Sequence, residues 1–167
     1  MFVFIRTLTY SALFIGFLLI YLPARVLSWS GIVRPPAMQA PQVAGMAFGA
    51  ASAAVALWCV FTFASIGRGT PAPFDPPRRL VIRGPYRFVR NPMYIGAGLA
   101  LASAALFYES WRLLAYAGLF FLATHLFVLS YEEPTLRRTF GPDYEAYCRQ
   151  VSRWWPTLPT ARDSDAS

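Results

Sequence analysis

Residues 91–133 read "NPMYIGAGLALASAALFYESWRLLAYAGLFFLATHLFVLSYEE". Two uncharged apolar runs, Asn91–Tyr108 and Leu113–Tyr131, are separated only by Glu109–Arg112, "ESWR". As helices rising about 1.5 Å per residue, each is about long enough to cross roughly 30 Å of hydrocarbon. A break that short predicts a tight helical hairpin. Whatever precedes Asn91 and whatever follows Tyr131 must then return to the same side of the bilayer. Working outward, Thr7–Ala24 and Val43–Ile66 are further apolar windows, and the link Leu27–Gln42 holds three prolines and reads as a loop. The first window has a weak n-region and a poor cleavage site in "LPARVLS", so it reads as a span and not as a signal peptide. The expected fold is all-α: an integral membrane bundle of about four transmembrane helices, five at most, with a C-terminal helical segment at the cytoplasmic face.

Composition agrees. The 167 residues suit one domain, and 56% hydrophobic with 14% charged residues is too little charge to cover a soluble fold of this size. The net charge of +7 comes from arginine, without any lysine. These arginines flank apolar segments, which favours topology and anionic headgroups over nucleic acid as their reason. With four spans, Arg6, Arg68, Arg78, Arg79, Arg83, Arg87, Arg90, Arg137, Arg138, Arg149, Arg153 and Arg162 share one side, against Arg25, Arg34 and Arg112 on the other. That bias predicts both termini in the cytoplasm, together with the Gly67–Arg90 loop. Cys59 and Cys148 build neither a disulfide framework nor a metal cluster, and no metal is expected. Within the domain, 1–66 holds two N-terminal spans, 67–156 the functional core and 157–167 a disordered tail. Small residues at four-residue spacing, Gly45, Gly49 and Ala53, then Gly96, Ala100 and Ala104, predict close helix contacts, with a homodimer face as the competing use.

Two polar constellations sit at the ends of the hairpin. The first is the loop Gly67–Arg90, where Pro71, Pro73, Pro76 and Pro77 forbid a helix, followed by "GPYRFVRNPMYIG" at 84–96. Asn91 reads as an N-cap with Pro92 at the first helical position, and Arg87 and Arg90 reinforce a helix start that favours anions. The plainer reading, that arginines here only obey the positive-inside rule, suits Arg78, Arg79 and Arg83; Arg90, Asn91 and Tyr94 are assigned to function. The second is "SYEEPTLRRTFGPDYEAYCRQVSRWWP", in which Glu132 and Glu133 leave an apolar helix where the chain meets water. Adjacent carboxylates there are costly unless paired. Tyr144, Tyr147 and Val151 share a helical face, with Leu136 and Phe140 on the turn before. Trp154 and Trp155 read as interface anchors. His125, on the face of Glu132 at a seven-residue spacing, reads as a packing histidine before a functional one, since no partner can be named for it. The hairpin makes the arginine-rich helix start and the diglutamate helix end neighbours, able to hold a ligand carrying both signs of charge.

At these residues the chain resembles the isoprenylcysteine carboxyl methyltransferase and phospholipid methyltransferase family of membrane enzymes. Their pattern, "GPY…RHPxYxG" and then "EE…L…FGxxYxxYxxxVPR…P", is met by Gly84, Pro85, Tyr86, Arg90, Pro92, Tyr94 and Gly96, and by Glu132, Glu133, Leu136, Phe140, Gly141, Tyr144, Tyr147, Val151, Arg153 and Pro156. The likeness runs over about Gly67–Pro156. It departs at Asn91, where the pattern has histidine, and at Ser152, where it has proline. The resemblance implies S-adenosyl-L-methionine as methyl donor, bound under the C-terminal segment, and a lipophilic acceptor arriving from the bilayer. It makes Arg90, Glu132 and Glu133 the catalytic candidates. Tyr86, Asn91, Pro92, Tyr94, Gly96, Glu132, Glu133 and Tyr144 become the cofactor-binding candidates. Two other readings compete: a sterol-reductase-like enzyme using NADPH, distinguished by which cofactor protects against heat, and a non-catalytic module holding anionic lipid, which would not need the diglutamate.

Overall fold

Helix ends follow from local chemistry. Pro92 opens one helix in its first turn, where a missing N–H costs nothing. The Ser110 hydroxyl accepts from the Leu113 amide at 3.4 Å and so caps the next. Gly141, at φ +51°, ends the helix that Pro142 cannot continue. The structure, a computed structural model, describes residues 16–32, 37–62 and 80–157. Its helices are α1 (Phe17–Trp29), α2 (Ala40–Thr62), α3 (Pro92–Phe107), α4 (Trp111–Phe140) and α5 (Pro142–Gln150), with a 3-10 turn at Gly84–Arg87. Among the described residues there is no strand, and the fold is all-α. The proline-rich loop, the start of the first span, the end of the second and the tail after Thr157 lie outside the described residues, as do Arg6, Arg34, Arg68, Arg78, Arg79 and Arg162.

α2 and α4 are long and apolar enough to cross a bilayer, each with a mean hydropathy of 1.9 over its best window; α1 and α3 are shorter apolar helices. Only 17% and 22% of the two long windows is buried, so these are not the core helices of a soluble fold. Their outward faces carry Leu57, Trp58 and Phe61 on α2 and Leu119, Leu122 and Leu126 on α4. A surface of that kind suits lipid.

The tightest contact joins α2 to α3. A Cβ on Gly45 would stand 2.9 Å from the Ser103 carbonyl and the Phe107 amide, and one on Gly49 would meet the Ser103 hydroxyl at 3.3 Å. Gly96 faces the Ser52 carbonyl. Gly45, Gly49 and Gly96 therefore lie in the α2–α3 contact, with one correction: Ser52, not Ala53, continues the α2 face, and Ala53 points outward. Gln42, fully buried, donates to the Phe107 carbonyl at 3.0 Å and to Glu109 at 2.8 Å, tying the start of α2 to the α3–α4 turn. The opposite end of the bundle holds the end of α2, the start of α3 and the end of α4. The expected hairpin is present.

Within α4, Val128–Glu132 forms a π turn. Pro134 follows at once, and its ring crowds the carbonyl four residues back, which a wider turn relieves. The extra width brings Val128 and Glu133, five residues apart, to the same buried side. It also breaks the seven-residue phase expected to align His125 with Glu132.

Candidate active site

The segment 80–91 is built to deliver Arg90. Gly84, at φ +61°, turns the chain against Thr62 at the end of α2, in a conformation only glycine adopts without strain. The Tyr86 ring then packs on Cys59 and Val81. Its carbonyl accepts a 2.6 Å hydrogen bond from the Tyr147 hydroxyl of α5. A strap, residues 151–157, crosses the start of α3. The Arg90 amide donates to the Ser152 carbonyl at 3.0 Å and the Thr157 amide to the Phe88 carbonyl at 2.8 Å. Beneath the strap, Tyr144 and Tyr147 form a buried cluster with Val151, its first residue, and Leu80, Leu136, Phe140 and Cys148 pack against it. Burial pushes the Tyr144 and Tyr147 phenols well above their ordinary range, so both stay protonated.

Onto this frame the two constellations converge. Arg90 Nη1 lies 3.1 Å from Glu133 Oε1 and 2.7 Å from Cys148 Sγ. The Tyr94 hydroxyl donates to Glu132 Oε2 at 3.0 Å. Arg153 grips Glu133 with both prongs, Nε to Oε1 at 2.6 Å and Nη2 to Oε2 at 3.0 Å. Arg137 reaches the same carboxylate only at 3.7 Å and is 54% exposed. Glu133 is 4% exposed, a buried anion made tolerable by its arginines. Glu132, by contrast, has no cationic partner among the described residues. The Arg90 Nε–H is buried with no acceptor, the one such side-chain atom among the described residues. Buried donors are rarely left so, and an orphan of this kind points to an acceptor that a ligand would supply.

Not every expected residue comes to this cluster. Arg90, Asn91, Tyr94, Glu132 and Glu133 do, and Pro92 opens α3 beside them. Gly96 faces α2 instead, while Tyr86 packs its ring on Cys59 and Val81 with its hydroxyl within electrostatic reach of Glu132 and Tyr94. Tyr144 packs its ring in the buried cluster below, and its hydroxyl comes against Arg90, within electrostatic reach of Glu133. Asn91 stands at the N-cap position without capping: its amide donates to the Arg153 carbonyl at 3.3 Å, because the strap offers an acceptor there. Trp154 is not a free interface anchor. Its indole donates to His125 Nδ1 at 2.9 Å and packs on Phe121, while Trp155 stays 79% exposed. His125 thus has a partner in Trp154. Sequence reading gave no role to Arg153, although the family pattern contains it, nor to Cys148, for which nothing in the spacing signals contact with Arg90.

A cavity of about 200 Å³, lined by Ser30, Ile32, Glu109, Ser110, Trp111 and Arg112, lies at the other end of the bundle. The sequence model of a family described as phospholipid methyltransferase matches residues 41–143. The matched stretch contains α2, α3 and all of α4, with Arg90, Tyr94 and both glutamates, and stops before Tyr144 and the strap. No curated protein matches the chain.

Proposed function

The chain belongs to the phospholipid methyltransferase family, and on that footing we propose that it moves a methyl group from S-adenosyl-L-methionine to a lipophilic acceptor at the membrane boundary. The observation that carries this reading is the convergence of Arg90, Tyr94, Glu132 and Glu133, from the two ends of one hairpin, under the strap. The donor's charges fit what the cluster leaves over. Arg90, with its buried Nε–H lacking an acceptor, suits the donor's carboxylate. Glu132, without a cationic partner among the described residues, suits the ammonium or the ribose hydroxyls. Tyr94 orients Glu132, Asn91 holds the strap, and Tyr144 lines the adenosine side. Glu133 shapes the site by fixing Arg90 and Arg153. When bound, the donor supplies an activated methyl on sulfur, and the acceptor heteroatom takes it as the carbon–sulfur bond breaks. The protein's work is alignment and exclusion of water, which the strap and the apolar bundle favour.

In this proposal four spans place both termini and the site in the cytoplasm, so that donor enters from water and acceptor from lipid. The test is incubation of the purified protein with methyl-labelled donor and a total membrane lipid extract, followed by identification of the labelled product. Label in a lipophilic product, lost in Arg90→Ala and Glu132→Gln, is expected. A wild-type protein that labels no fraction, while remaining folded, overturns the reading.

A further inference from the structure

Glu133 is the carboxylate on which this site's arginines compete. A fork of two parallel hydrogen bonds is the strongest contact a guanidinium and a carboxylate make. Arg153 makes it; Arg90 touches Glu133 with Nη1 alone and keeps its Nε–H without an acceptor. Without Arg153, Glu133 would remain a buried anion, with Arg137 distant and half in solvent. Arg90 would be the nearest cation, and turning its Nε and Nη1 onto both oxygens would consume the orphan donor. The strap that delivers Arg153 is tied to the same corner: Ser152 accepts from the Arg90 amide, and the Arg153 carbonyl accepts from Asn91. It lies beyond the residues matched by the family model.

We propose that Arg153 is the positioning residue of this site. It neutralises Glu133 from the strap and so keeps Arg90 available for the carboxylate of an incoming ligand. This rests on the methyl-donor reading above, which names that ligand as S-adenosyl-L-methionine. The prediction is a specific pattern of coupling. Arg153→Ala should weaken donor binding by about tenfold or more, since a buried charge is too costly to leave unpaired and Glu133 then draws Arg90 onto itself. Glu133→Gln added to Arg153→Ala removes the competitor as well, and should bring affinity back to within about threefold of Glu133→Gln alone.

The experiment measures equilibrium binding of S-adenosyl-L-methionine to detergent-purified full-length protein. The chains compared are wild type, Arg153→Ala, Arg153→Lys, Glu133→Gln and the Glu133→Gln/Arg153→Ala double variant, with exposed Arg138→Ala as control for the loss of one positive charge. Thermal unfolding of each shows that it is folded. Should Arg153→Ala fail to fold, Arg153→Lys, which keeps the charge but not the fork, is expected to lie between wild type and full loss. Recovery in the double variant supports the proposal. Wild-type affinity in Arg153→Ala and Arg153→Lys, a double variant as weak as Arg153→Ala, or equal weakening by Arg138→Ala overturns it while leaving the methyltransferase reading standing. If the wild-type chain binds no donor, that reading falls and this proposal with it.

Discussion

Gly84→Ala is the substitution through which the fold and the site are most directly coupled. The residue sits at φ +61°, and a Cβ there would stand 2.5 Å from Thr62 Oγ1, 3.0 Å from Cγ2 and 3.3 Å from Cβ. A left-handed backbone costs a non-glycine residue about 1–2 kcal/mol, and overpacking against a side chain held by α2 adds about 1–3 kcal/mol. A less flexible unfolded chain returns about 0.4–1 kcal/mol. The net loss is about 1–5 kcal/mol. Two controls separate the contributions. Gly141, at φ +51° and ψ −124°, has nothing within 4 Å, so Gly141→Ala bears a backbone cost of its own without overpacking; Gly98→Ala, with neither, bears none. Thermal unfolding in micelles should place both Gly141→Ala and Gly84→Ala below Gly98→Ala, with a difference of about 1–3 kcal/mol between Gly84→Ala with and without the Thr62 obstruction. Thr62→Ala removes the two closest obstructing atoms, so adding it to Gly84→Ala should recover much of that difference, a coupling of favourable sign. Donor binding should fall with Gly84→Ala too, because the turn it distorts leads straight to Arg90. Equal stability of Gly84→Ala and Gly98→Ala, or a double variant weaker than Gly84→Ala, refutes the reasoning.

Other perturbations follow from single contacts. Tyr94→Phe removes the donor to Glu132, a hydrogen bond to a charged group of about 1.5–3 kcal/mol, and should weaken donor binding about tenfold or more in a binding isotherm. Gly45→Ala forces a Cβ onto two backbone atoms that cannot rotate away, so it should cost about 1–3 kcal/mol of stability in micelles. Gly49→Ala, which meets only a side-chain hydroxyl, should cost less. His125→Phe leaves the Trp154 indole without its acceptor; a loss of about 1–3 kcal/mol in stability with donor affinity nearly intact is expected. A collapse of affinity at full stability would make His125 part of the site instead.

How far the sequence carried depends on the length scale of each feature. The hairpin was legible because "ESWR" between two apolar runs leaves one solution, and with it the meeting of Arg90 with the glutamates. Pro92 and Ser110 mark helix starts by local rules. The division of labour between Glu132 and Glu133 was not legible, because it turns on a π turn that α-helical spacing cannot anticipate. Nor was Arg153's grip on Glu133, which depends on the path of a strap without regular structure. Ser52 was hidden behind Ala53 by a stripe rule that tolerates either residue. Asn91 looked like a cap because capping is local, while the acceptor it finds comes from residue 153, far along the chain.

The central claim is that a sulfonium nucleoside sits between the start of α3 and the end of α4, beneath the strap. Irradiating the protein with radiolabelled S-adenosyl-L-methionine and mapping the labelled peptides tests it most directly. Label within residues 86–96 or 132–153, competed away by S-adenosylhomocysteine, is the predicted result. Competable label confined to the cavity at the other end, around Ser30 and Glu109–Arg112, would contradict it.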